Sequence, residues 1–125
     1  MTPRITANPL RPRSAAEVLL EEQLRQAKVP FVREHLVAPD RKFRADFFCG
    51  LDLLIEVEGG AWINGRHSRG AGVETDCEKS ALAAARGYRL IRVTPKQVDD
   101  GRALAWIQNA LRWRENIGGS HESVA

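Results

Sequence analysis

The chain has 125 residues, 43% of them apolar and 28% charged, which suits one globular domain and leaves no room for a second. Fifteen arginines and four lysines against sixteen acids give a net charge of +3, and the excess is carried by arginine, whose planar fork suits phosphate recognition. The absence of a long apolar run argues against a signal peptide or a membrane span, and Cys49 and Cys77, without CxxC spacing, argue against a disulfide scaffold and for a reduced, cytoplasmic setting.

Met1 to Arg13 carries Pro3, Pro9 and Pro12 among Arg4, Arg11 and Arg13, and reads as a flexible basic arm able to follow a phosphate backbone. Ser14-Ala15-Ala16-Glu17 matches a capping box, so a first helix is predicted from Ser14 to Lys28, stopped by Pro30. Leu20, Leu24 and Ala27 recur at helical spacing, with Glu17 on the edge of their face. Glu17 therefore either closes the capping box or reaches inward as a metal ligand.

Phe31 to Val37 reads as a strand, Pro39-Asp40-Arg41 as a turn, Phe43 to Cys49 as a second strand and Leu51 to Glu58 as a third, with Gly50 and Asp52 marking a tight hairpin. The glycine-rich, basic stretch from Gly59 to Gly72 reads as a long mobile loop. A helix from Val73 to Arg86, ended by Gly87, leads into a buried strand from Tyr88 to Val93. After Thr94-Pro95 a last helix from about Gly101 to Glu115 presents Leu104, Ile107 and Leu111 to the sheet. Trp106 and Trp113, seven apart, read as core or dimer-surface aromatics, and the polar end from Gly118 to Ala125 reads as disordered. This order predicts a small α/β domain with a mixed sheet: an antiparallel meander, then a strand reached through a right-handed helical crossover.

Asp46, Glu56 and Glu58 carry the most information. Along Leu53-Leu54-Ile55-Glu56-Val57-Glu58, Leu53, Ile55 and Val57 alternate into a core while Glu56 and Glu58 project together, about 6.6 to 6.8 Å apart. Carboxylates crowded in strands repel one another and are costly to bury, so a hard divalent cation explains them better than packing does.

Arg44-Ala45-Asp46-Phe47, then Glu56-Val57-Glu58-Gly59-Gly60, then His67, then Asp76 and Lys79 on a helix, then Gly87-Tyr88-Arg89-Leu90-Ile91-Arg92-Val93, resemble in order the PD-(D/E)XK nuclease superfamily, and within it the small domains related to very-short-patch-repair endonucleases. The resemblance spans about Ser14 to Leu111. It implies a restriction-endonuclease-like α/β fold, α-β-β-β-α-β-α, over residues 14–115, and a metal-dependent endonuclease that cuts DNA, directed by structure as in nicking, repair or junction resolution. Asp46 and Glu56 would hold Mg²⁺ or Mn²⁺, and Glu17 would match a glutamate that many members place on the first helix. Glu58 stands where most of the superfamily has lysine. Lys79, on the same helical face as Asp76, either replaces that cation or merely pairs with Asp76. His67, in the glycine-flanked loop with Arg66 and Arg69, is placed to act as general acid or base.

Arg44, Arg66 and Arg69 are expected to contact DNA phosphates, with affinity sensitive to salt and largely blind to sequence. All-oxygen ligands favour Mg²⁺ or Mn²⁺, and zinc is disfavoured because His67, Cys49 and Cys77 lack ligand spacing. DNA is the expected partner, with no membrane and a possible homodimer. The competing readings are a DNA-binding subunit that does not cut, and an α/β protein with a structural metal.

Overall fold

The computed structural model describes residues 13–41, 43–58, 62–63, 66–67 and 71–124, and the side chains of 13–40, 43–58 and 72–116. The proposed arm, apart from Arg13, lies outside the described residues. Helix α1 (Ala15–Gln26) leads into strand β1 (Val32–Ala38), a 3₁₀ turn at Pro39–Arg41, β2 (Phe43–Cys49) and β3 (Leu53–Val57). A two-residue pair follows, β4 (Trp62–Ile63) and β5 (Arg66–His67), then α2 (Ala71–Ala85), β6 (Arg89–Val93), α3 (Pro95–Asp99) and α4 (Arg102–Val124).

The main sheet runs β1-β2-β3-β6, antiparallel through β3 and parallel between β3 and β6, so the mixed sheet expected from the sequence is present and α2 forms the crossover. β3 lies inside the sheet, and its consecutive Leu53, Leu54 and Ile55 are all fully buried because both faces are covered. Leu53 and Ile55 join Leu20, Leu24, Phe47, Val93, Val98 and Ile107 in the core beneath α1, α3 and α4. Leu54 packs on the other face with Val37, Phe43, Ala45 and Ala83 of α2.

Local chemistry sets the ends of the elements. The Ser14 hydroxyl accepts from the Glu17 N–H at 3.1 Å, which opens α1 where the capping pattern places it. Gly87, at φ +85°, ends the α2 turn. Thr94 and Gln97 form a complete capping box around Pro95, which starts α3, an extra turn that reading the Thr94-Pro95 step only as a break overlooks. Within the stretch expected to be one long loop, Trp62 pairs with His67 and Ile63 with Arg66 in a short hairpin. α4 continues past Glu115 to Val124, through residues whose polar composition suggested disorder. Trp106 and Trp113 are 39% and 54% exposed, so neither is a core residue; Ala103 and Ile107 fill the buried stripe of α4 instead.

The β2–β3 hairpin is closed by Gly50, at φ +63°, and by Asp52, whose carboxylate accepts two hydrogen bonds from Arg89 at 3.0 and 3.1 Å. A β-carbon at Gly50 would stand 2.9 Å from Leu111 Cδ2, so that position is constrained by backbone and by packing. Gly50→Ala should lower the free energy of unfolding in urea by about 1 to 2 kcal/mol, and an unchanged midpoint would contradict this account of the turn.

Candidate functional site

The buried stripe of α1 is apolar only in part. Ala16, Leu20 and Leu24 share it with Glu17, 3% exposed, and Glu21, 8% exposed, so the helix turns two carboxylates toward the sheet. Opposite them, β1 and β2 depart from strict alternation. Arg33 lies over Phe47 and reaches α1, whereas His35, of the same parity, stacks on Phe48 and hydrogen-bonds Tyr88 at 2.9 Å. On β2, Ala45 packs on the α2 face and Phe47 on the α1 face. Both strands thus change face at the same level, where the register (Arg33 with Phe47, His35 with Ala45) leaves Glu34 opposite Asp46.

Glu34 has φ +53°, a left-handed backbone that a glutamate adopts only under constraint, at a cost on the order of 1 to 3 kcal/mol. The consequence is that consecutive residues Arg33 and Glu34 both reach carboxylate-bearing space beneath α1. Glu17, Glu34 and Asp46, all buried, each offer an oxygen within 4.8 Å of the others. Among the described residues this is the only such group of three or more acids, histidines or cysteines. An all-carboxylate donor set at this spacing suits a hard divalent cation, with coordination positions left for water or a phosphate oxygen. The charge is balanced in part by Arg33, which donates to Glu17 at 3.0 Å and Glu21 at 3.3 Å and lies 3.5 Å from Glu34.

Glu17 and Asp46, both expected ligands, are therefore brought together. Glu34 was not anticipated. It occupies an ordinary strand position in the sequence, and its left-handed backbone carries no glycine or asparagine to announce it. Arg33 was missed for the same reason.

Asp46 is tied to β3 as well as to α1. Pairing of β2 with β3 runs from Cys49 opposite Leu53 to Phe47 opposite Ile55 and ends there, and the next free N–H of β3, that of Val57, donates to the Asp46 carboxylate at 2.8 Å. Glu56 sits beside this bond, outside the group of three. Burial, together with the Asp46 carboxylate, pushes its carboxyl up to about 7; Glu58 adds to the push while Lys79 and Arg92 oppose it. Lys79 thus stands close enough to act on Glu56, and its Nζ lies 5.3 Å from the centre of the Phe43 ring.

Glu58 is drawn elsewhere. Its carboxylate accepts from Arg92 of β6 at 2.7 Å, and Arg92 also donates to the Asp76 carbonyl and the Ser80 hydroxyl of α2. Asp76 faces Arg92, at 3.7 Å, rather than the Lys79 pairing that was one of two readings of Lys79. Glu58, Asp76, Arg92, Ser80, Cys77, Val73 and Thr94 line an open cavity of about 460 Å³. Glu58 therefore lines this cavity, tied to Arg92, rather than joining Glu17, Glu34 and Asp46.

Arg44 is exposed on β2, with a long 3.4 Å contact to the Glu34 carbonyl. Arg66 and His67 are placed only by their backbone in β5, and Arg69 lies outside the described residues. Cys49 is buried in the core, which pushes its thiol up to about 11, while Cys77 is exposed. Among the described residues no helix is long and apolar enough to cross a membrane.

The raised Glu56 carboxyl has a definite effect on stability. An acid whose folded value exceeds its unfolded one is fully stabilising below the unfolded value, 4.5, and loses that contribution as pH rises toward about 7. The unfolding free energy of metal-free protein, measured relative to Glu56→Gln, should therefore fall across that window, and a flat difference would contradict the environment described for Glu56.

No family model matches the chain, and no curated protein matches its sequence. Among solved structures, the fold is similar to that of the catalytic domain of the homing endonuclease I-Bth0305I, with 19% identity, a TM-score of 0.54, and coverage of 87% of this chain and 98% of that one. At this identity the likeness establishes a shared fold.

Proposed function

We propose that the protein is a metal-dependent endonuclease that hydrolyses DNA phosphodiester bonds. The observation that carries the reading is the convergence of Glu17, Glu34 and Asp46, all buried, from a helix and two strands, with Glu56 next to Asp46. The fold shared with a homing endonuclease catalytic domain supports it, as does the ordered motif that resembles the PD-(D/E)XK superfamily.

Glu17, Glu34 and Asp46 would hold Mg²⁺ or Mn²⁺, and Glu56 would complete the set on the β3 side. Such an ion supplies Lewis acidity toward a phosphate oxygen and lowers the pKa of water. The protein's own residues do the rest. Asp46 is fixed by the Val57 N–H, so its carboxylate is oriented before substrate arrives. Glu56, buried beside Asp46, would help orient the attacking water at the ion. Lys79 and Arg92, both acting on Glu56, supply the positive charge that Glu58 does not, and can offset charge growing on the phosphate. His67, with Trp62 across the short hairpin, would serve the leaving group as general acid, while Arg44, Arg66, Arg69 and the basic arm would follow the phosphate backbone.

The resemblance to very-short-patch-repair endonuclease domains favours a substrate chosen by structure, such as a mismatch, flap or junction, over one read by a long base sequence. A homodimer, for which the exposed Trp106 and Trp113 offer surface, would suit a cut on both strands.

The test is digestion of supercoiled, mismatched, flapped and four-way DNA with Mg²⁺ or Mn²⁺. Cleavage should require the ion and should be lost in Asp46→Asn and in Glu56→Gln, both still folded. Binding without nicking under either metal would instead make the protein a DNA-binding subunit. Glu17→Gln, which preserves capping chemistry, should lose activity by on the order of a hundredfold; retained activity would remove Glu17 from the ligand set. Neutralising Arg44 should reduce the slope of log affinity against log salt by about 0.9 if it contacts one phosphate, and an unchanged slope would place it off the DNA.

A further inference from the structure

Arg33 shows two local penalties at one place. Its side chain is 10% exposed, its guanidinium carbon lies 4.5 Å from the centre of the Phe47 ring, and its Nε is buried without a hydrogen-bond partner. The next residue, Glu34, is held at φ +53°. In a regular strand these two side chains would point to opposite faces. Both irregularities are what bring a cation and a carboxylate into the same buried corner, and such outliers gather where a fold serves something besides its own stability.

The geometry of the fork is specific. Its two terminal nitrogens reach Glu17 at 3.0 Å, Glu21 at 3.3 Å and Glu34 at 3.5 Å. Glu21 is outside the group of three close carboxylates; it is also bound by Arg25 at 2.6 Å and Arg13 at 2.8 Å, so it fixes the guanidinium from the far side. A lysine ammonium is a point charge and lacks the planar spread that bridges several carboxylates at once.

We propose that Arg33 is the positioning residue of the site: a guanidinium anchored on Glu21 that holds the Glu17 and Glu34 carboxylates at the spacing a divalent cation requires. This rests on the metal-site reading above. Arg33 does not ligate the ion. It orders two of the oxygens that do, so that their mutual repulsion is already offset when the ion arrives.

The experiment is calorimetric titration of the full, metal-free chain with Mn²⁺, at one pH, for wild type, Asp46→Asn, Arg33→Lys and Glu21→Gln, with circular dichroism and thermal unfolding on each. Wild type should bind Mn²⁺ and Asp46→Asn should lose it. Arg33→Lys, which keeps charge but not the fork, should bind on the order of tenfold more weakly, and Glu21→Gln, which weakens the anchor alone, severalfold more weakly, with native spectra in both. A change confined to thermal stability would mark Arg33 as structural only and overturn the proposal. So would affinity in the two variants equal to or tighter than wild type while Asp46→Asn fails to bind. Should Arg33→Lys not fold, Glu21→Gln decides by the same criterion. Absence of binding by wild type would overturn the metal-site reading itself, an outcome distinct from normal binding by the variants.

Discussion

Like charges crowded out of water are the constraint around which this structure is organised. Glu17, Glu34 and Asp46 converge from α1, β1 and β2 in a corner where each is nearly inaccessible to solvent. Carboxylates so placed are costly unless a cation shares the space. Among the described residues Arg33 brings positive charge to this corner, beside a left-handed glutamate and with a guanidinium nitrogen left unsatisfied. Packing does not require this arrangement, since the same face of α1 is otherwise filled by Leu20 and Leu24. A corner built against electrostatic and conformational cost is the physical basis for assigning it a cation.

Where β2 meets the end of β3 the balance of charge changes step by step. At Asp46 the carboxylate is fixed by a backbone N–H; at Glu56 burial and a neighbouring acid hold the carboxyl near neutrality; at Glu58 an arginine from β6 claims the side chain. Neighbouring positions on β2 and at the end of β3 thus hold acids in different electrostatic states. The far end of the sheet has a simpler role. There Asp52 and Arg89 clamp the β2–β3 hairpin to β6, and Arg89 also donates to the Ala110 carbonyl, fixing α4 over the sheet.

Much of this was legible in the sequence. The Ser14 cap, the alternation in β3, Gly50 and Gly87 at their turns, and the apolar stripes of α1 and α4 are local signals, and the elements they predict are present. Asp46 and Glu17 were legible as acids placed against apolar neighbours. Glu34 was not, because its role depends on a backbone conformation unusual for glutamate and on a register partner twelve residues away. Glu58 lies near enough to raise the Glu56 carboxyl, as strand parity suggested, but parity cannot reveal that Arg92 lies on the adjacent strand and claims the Glu58 side chain. Trp106 and Trp113 share a heptad spacing that suits burial, yet the inward stripe of α4 passes through Ala103 and Ile107 beside them.

The most direct measurement is an anomalous difference map from crystals soaked in Mn²⁺. The account predicts a peak among the Glu17, Glu34 and Asp46 carboxylates, at contact distances near 2 Å, as expected for a small divalent ion with oxygen ligands. A peak only at Glu58 and Asp76, or none while Glu17 and Glu34 remain paired with Arg33, would contradict it.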